Sequence, residues 1–219
     1  MKNTLEDSGA PRVILVNGSP HENGTTARAL TEIETALAAE GVEYRRIWIG
    51  KAPRGGCTAC GGCRGTGRCV LGDVACEIAE ALEGADGIVV ASPVYYASPN
   101  GSLLGVLDRA FYSSRYDKWM KVGASVAVAR RGGTTATFDA LNKYFTISEM
   151  PIVSSRYWNQ VHGASAADAE RDLEGLHTMR LLGRNMAHLI RCIRLGNEQL
   201  TRPEREAKIY TNFIPPVAD

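Results

Sequence analysis

The chain has 219 residues, 44% of them apolar and 22% charged, the makeup of one ordinary globular domain; this excludes a disordered tail, a collagen or a small disulfide scaffold. Lys and Arg number 25 against 24 Asp and Glu, a formal net charge of +1, so no strong field draws the protein onto nucleic acid or an anionic membrane. Lys2, Glu6 and Asp7 precede any apolar run, the wrong order for a secretory signal, and no stretch approaches the ~18 apolar residues of a spanning helix; the expectation is a cytoplasmic protein.

Residues 1–11 read as a disordered or extended N-terminus. Arg12 to Asn17 (RVILVN) is a short apolar strand ending in Gly-Ser-Pro, and after Gly24 the helix formers place Leu30, Ile33 and Leu37 at helical spacing. Val42 to Ile49 alternates as a second strand, and a Gly- and Cys-rich loop fills residues 51–72, longer than an ordinary connection. Asp73 is placed to cap a helix to Leu82, and Ala85 to Ala91 is a continuous apolar strand that stops at Ser92-Pro93. Gly101 to Tyr112 reads as helix, Gly123 to Ala129 as a fourth inner strand, Thr134 to Ser148 as helix, Pro151 to Trp158 as extended and Asp168 to Cys192 as a long helix. Residues 197–219 lack a period and are expected to form a surface tail or an arm packed on a partner subunit.

Five short strands alternating with helices predict a single α/β domain over 12–196, a three-layer α/β/α sandwich around a five-stranded parallel sheet of order 2-1-3-4-5. Ligands of such sheets bind outside the carboxyl ends of the strands where the strand order reverses, here the loops after the first, third and fourth strands. The first of these, Gly18 to Thr26, sets three hydroxyls and two glycines ahead of a helix start, where free amides favour a phosphate dianion. Five residues separate its glycines and no lysine follows, which disfavours a P-loop, and the dinucleotide G-x-G-x-x-G is absent. A plain turn with Ser19 or Thr25 as helix cap fits these residues equally well. The third-strand loop offers proline stiffness and two rings, Tyr95 and Tyr96, as a wall for a flat heteroaromatic ligand, or simply two half-buried tyrosines. Arg130 and Arg131 beside Gly132 and Gly133 supply a cation for an anionic ring, or a pair of solvated surface arginines.

Four cysteines, Cys57, Cys60, Cys63 and Cys69, fall within one glycine-rich run. That spacing is too tight to staple distant parts of a domain and suits four-thiolate ligation of a [4Fe–4S] cluster; structural zinc and free thiols are the alternatives. Cys76 and Cys192 read as buried apolar residues.

The segments VILVNGSPHENGTT, GGCTACGGCRGTGRC, ADGIVVASPVYYASPNGSLLGVLDR, VARRGGTTATFDALNKYF and SSRYWNQVHG, in this order, resemble the iron–sulfur flavoprotein branch of the NADPH-dependent FMN reductase family, within the flavodoxin-like superfamily. The resemblance implies a flavodoxin-like sandwich and FMN as cofactor. It also implies NAD(P)H or a ferredoxin as electron donor, a small acceptor such as a quinone, nitro compound or flavin, and a homodimer or homotetramer. It places the phosphate loop on Ser19, Pro20, His21, Asn23, Thr25 and Thr26, the isoalloxazine loop on Pro93, Val94, Tyr95 and Tyr96, and the pyrimidine edge near Arg131, Gly132 and Gly133. Relatives carry Arg or Lys in the first loop where this chain has His21-Glu22, so hydroxyl and amide donors must do more here. Trp158, Asn159 and His162 are expected to face the open side of the flavin. No protein side chain is needed as the catalytic group, since the flavin carries the chemistry. The rivals are a non-enzymatic flavodoxin-like electron carrier and a zinc- or redox-sensing binding protein built on the cysteine loop.

Overall fold

The computed structural model describes residues 9–207, 209 and 211; the expected extended start at 1–8 and the end of the tail lie outside them. Five parallel strands form the sheet: β1 (Arg12–Asn17), β2 (Glu43–Trp48), β3 (Gly87–Tyr95), β5 (Val122–Ala129) and β6 (Gln160–His162), in the order β2-β1-β3-β5-β6. A two-residue strand, β4 (Ser98–Pro99), folds back antiparallel on the end of β3. Leaving this short return aside, the order is the one the alternation of strands and helices predicts.

Alternation within the strands divides the interior into two cores, because successive side chains leave opposite faces of a sheet. Val13, Leu15 and Val89 face α1 (Thr25–Ala39) and α7 (Leu173–Gln199), where they meet Leu30, Ile33, Met179 and Leu182. Ile14, Val16, Ile88 and Val90 face the other way, toward Ile78 of α3 (Val74–Glu83), Leu103 and Leu107 of α4 (Gly101–Ser113), and Phe145 of α5 (Thr134–Thr146). A single-turn helix, α2 (Cys63–Thr66), interrupts the cysteine-rich loop, and another, α6 (Ala166–Ala169), precedes α7.

Three elements differ from the sequence expectation. β3 does not stop at Ser92-Pro93; Ser92 pairs with Ala127 and Pro93 with Val128. A proline is tolerated there because β1 last pairs at Asn17 with Ala91, so one side of β3 is already an edge. The fifth strand is Gln160–His162, and the predicted extended stretch 151–158 makes only a single bridge, Gly123 with Ile152. The last long helix begins at Leu173 with Asp172 as its cap, not at Asp168. Asp168 instead closes a reciprocal capping box with Ser165 on α6.

Candidate functional site

The carboxyl ends of β1, β3 and β5 open on a cleft of about 800 Å³. Its floor is the turn from Ser19 to Thr26, which is held by buried residues. Asn17 is fully buried at the end of β1; its Oδ1 accepts from the Ser19 amide at 3.1 Å and its Nδ2 donates to the Glu22 carbonyl at 3.0 Å. Trp48 Nε1, on the neighbouring strand, donates to the Ser19 carbonyl at 2.7 Å, and Ser19 Oγ accepts from the His21 amide at 3.1 Å. The turn is thus fixed from both sides, by Asn17 at the end of β1 and by Trp48 on the neighbouring strand.

Helix α1 starts at Thr25 with Gly24 as N-cap and no side-chain cap. Its first intrahelical bond comes from Arg28 to the Gly24 carbonyl, which leaves the amides of the first turn to an external anion. The plain-turn alternative, in which Ser19 or Thr25 caps the helix, is therefore not what the chain does. Among the described residues Thr25 Oγ1 has only a long 3.5 Å contact to the Gly163 carbonyl, and Thr26 is buried. Ser19, His21, Asn23, Thr25 and Thr26 all line the cleft, and Pro20 is half-buried within the same turn.

The second wall is Pro93, Val94 and Tyr95. Ser92, fully buried, accepts from the Asn100 amide at 2.9 Å through its Oγ and donates to the Pro93 carbonyl at 2.9 Å; Asn100 caps α4 by accepting from Leu103. Between these anchors Tyr95 pairs with Ser98 across a two-residue turn, Tyr96 and Ala97, at φ of 50° and 58°. Both central residues lie in the left-handed region, the geometry of a type I′ turn that Asn-Gly adopts at far lower cost. Tyr96 is wholly exposed at the tip, while Tyr95 stays beside the cleft. Gly133, at φ +89°, lies behind this turn; a Cβ there would come within 2.8 Å of the Ala97 Cα and 2.9 Å of Val94 Cγ1, so only glycine permits the approach.

Val128, Ala129 and Arg130 close the cleft from β5, and Gly163 to Ala166 close it from beyond β6. Arg130 is the arginine that lines it; Arg131 and Gly132 are next to it along the chain, outside the lining. Trp158 is half-exposed and packs edge-on against Tyr157 with ring centroids 4.8 Å apart. Asn159 is buried, its carbonyl accepting from Ala127 and its Oδ1 from Ser155 Oγ at 2.6 Å, with Nδ2 unpartnered. The His162 amide donates to Asp172 Oδ2 at 2.6 Å. These three residues precede the wall made by Gly163 to Ala166 and do not form it. Lys51, the first residue of the cysteine loop, reaches the same cleft and brings a cation that the first loop lacks.

Cys57, Cys60, Cys63 and Cys69 border one small apolar pocket of about 30 Å³ together with Val70, Leu71 and Tyr112. Among the described residues no three potential ligands converge as a metal ion requires, so the sulfurs share a pocket without meeting at a point. The donor chemistry fits four-thiolate ligation. The pocket wall also contains Ser113, buried, whose Oγ has no partner and is available to a group seated among the thiols. The guanidinium of Arg109 approaches from beneath, Nη1 lying 3.9 Å from Cys69 Sγ. Hydrogen bonding to Asp73, then to Cys69, holds Arg109 charged beyond its ordinary range, and the same bond from Arg109 keeps the Asp73 carboxyl below the usual carboxylate value. Cys76 is buried as expected, with Sγ donating to the Cys69 carbonyl. Cys192 is not: it is exposed on α7 beside His188, because the buried stripe of that helix passes through Met186, Ala187 and Ile190.

Residues 11–165 match the NADPH-dependent FMN reductase family, a span that includes the uncapped turn, the cysteine run and the proline-tyrosine wall. The chain belongs to this family. An iron-sulfur flavoprotein of Methanocaldococcus jannaschii is 31% identical over 191 residues, covering 84% of this chain and 99% of its own, and one of Methanosarcina thermophila is 27% identical over 188 residues, covering 84% and 97%. Among solved structures, RosB with a bound 8-demethyl-8-formylriboflavin-5'-phosphate superposes at a TM-score of 0.66 with 13% identity, covering 95% of this chain and 94% of its own. At that identity the likeness establishes the flavodoxin-like fold alone. For this member of the reductase family the fold and the flavoprotein kinship agree, and no helix among the described residues is long and apolar enough to cross a membrane.

Proposed function

We propose that the protein is an FMN-dependent NAD(P)H oxidoreductase. It passes electrons from a nicotinamide, or from a ferredoxin, to a small acceptor such as a quinone, nitro compound or flavin. The observation that carries this reading is the meeting, in one cleft, of an uncapped helix start lined by hydroxyl residues and a stiff proline-tyrosine wall. The first is a seat for a phosphate dianion and the second for a planar ring, the two ends of FMN.

Bound FMN supplies hydride and single-electron transfer through its ring system. The residues of the chain bind and orient it. Amides at the start of α1 with Ser19, Thr25 and Thr26 hold the phosphate, and Lys51 offsets its charge in place of a basic residue in the turn. Pro93, Val94 and Tyr95 fix the ring plane, and Arg130 offers a cation to an anionic ring edge. No side chain need move a proton for hydride delivery, so the protein's contribution is alignment. Cys57, Cys60, Cys63 and Cys69 would hold a [4Fe–4S] cluster, which stores and relays one electron.

Anaerobic mixing of the FMN-loaded protein with NADPH or NADH, followed at the flavin absorbance, tests the enzyme. Rapid bleaching by one nicotinamide and steady turnover with a quinone are expected. Bleaching by neither, with ready reduction by a ferredoxin and no turnover on small acceptors, supports the electron carrier instead.

A further inference from the structure

Arg109 is among the largest fully buried side chains in the protein, at 2% exposure. It lies on α4, and all of its polar partners belong to the cysteine loop, to the residues flanking that loop or to its own helix. Nε donates to the Gly55 carbonyl at 2.9 Å, just ahead of Cys57, and to Gly105 at 3.1 Å. Nη1 and Nη2 form a bidentate pair with Asp73 at 2.7 and 2.8 Å, just beyond Cys69, and Nη1 also points at Cys69 Sγ at 3.9 Å. The loop rests on the helix without a gap, since a Cβ on Gly105 would stand 3.0 Å from the Gly55 carbonyl and the Gly56 nitrogen. One guanidinium therefore ties both ends of the loop to a rigid helix and presents a fixed positive charge to one of the four thiols.

We infer that Arg109 is a positioning residue that sets the reduction potential of the metal centre held by the four cysteines, with Asp73 as its counterweight. The inference rests on the iron–sulfur reading given above. Reduction adds an electron to a group already made anionic by its thiolates, and a buried cation beside one sulfur favours that reduced state. Asp73, paired with the cation, offsets part of the effect. The two residues thus act on the potential with opposite signs, which a purely structural brace cannot do.

The test is an anaerobic redox titration, with dithionite as reductant and the cluster signal read by electron paramagnetic resonance. It compares reconstituted wild type, Arg109→Gln, Arg109→Lys and Asp73→Asn, with iron counted in each. Asn preserves the helix cap at position 73. Arg109→Gln is expected to hold about tenfold less reduced cluster at a fixed potential, a negative shift of about 59 mV for a one-electron couple. Asp73→Asn is expected to shift positive, and Arg109→Lys to stay between wild type and Arg109→Gln. If Arg109→Gln takes up no iron, the positive shift of Asp73→Asn carries the test. Unchanged potentials in the loaded variants, or shifts of one sign at both positions, overturn the inference and leave the cluster reading intact. A wild-type protein that takes up no iron overturns both.

Discussion

Buried at the end of β1, the Asn17 carboxamide accepts from one amide of the phosphate-type turn and donates to a carbonyl of the same turn. Truncating it strands the buried Ser19 amide without a partner, at about 1–3 kcal/mol for such a group. Asn17→Ala is therefore expected to lose about 2 kcal/mol or more in urea unfolding and to weaken FMN binding at least tenfold, although Asn17 is not itself part of the cleft lining. An unchanged FMN affinity would show that the turn is not the phosphate seat. The hydroxyls of this turn and the four cysteines stand out in the sequence by residue type and spacing, which leave a phosphate seat or a plain turn, and iron–sulfur, zinc or free thiols, as the choices. Asn17, Trp48 and Arg109 do not: Trp48 finds Ser19 at a separation of 29 residues and Arg109 finds Asp73 at 36, so nothing local marks those two. The one local signal for Asn17 was a polar residue closing the apolar run Val13 to Val16.

At the scale of elements, the return from β3 to β4 is the strained piece. Tyr96 and Ala97 both occupy the left-handed region, at roughly 1–3 kcal/mol each for a non-glycine residue. Replacing the pair by Asn-Gly relieves that cost, and the double variant Tyr96→Asn, Ala97→Gly is expected to melt ~2–4 °C higher for each kcal/mol recovered. Flavin reduction by nicotinamide should slow in the same variant if the exposed Tyr96 ring borders the ring site; a lower melting temperature would show that the native turn is not strained. The sequence placed every inner strand, because buried parallel strands read as unbroken apolar runs. It missed the end of β3, where pairing with β5 carries a proline into the sheet, and misplaced the last strand, since the extended stretch 151–158 meets β5 through a single bridge at Ile152 and the ladder forms at Gln160–His162. The capping box of Ser165 and Asp168 was written in the sequence as S-x-x-D and would have separated α6 from α7.

The molecule as a whole is two cores on one sheet, each with ion pairs between its covering helices. Glu32 joins α1 to α7 through Arg180 and also pairs with Arg28; burial opposes its ionisation, yet both arginines together bring its carboxyl below the ordinary range. Asp73 is lowered by Arg109 in the same sense. A carboxylate whose folded value lies below the unfolded ~4 contributes stability that is fully present above that value and is lost as pH falls through the folded one. Thermal melts should accordingly stay level from pH 7 to about 5 and fall below about pH 4; a melting temperature at pH 3 equal to that at pH 6 would contradict these pairings. The sheet order and the place of the cleft were legible from the sequence at this scale, because the strand-order reversal fixes where loops converge. The cleft is the claim on which the rest stands, and an equilibrium titration reads it directly. Flavin-free protein titrated with FMN should take up one equivalent per chain with quenched flavin fluorescence, and the Thr25→Ala, Thr26→Ala double variant should bind about fivefold more weakly for each phosphate hydrogen bond lost, at about 1 kcal/mol apiece. Saturating FMN that leaves the fluorescence unquenched, with no flavin retained on the protein, would contradict the account.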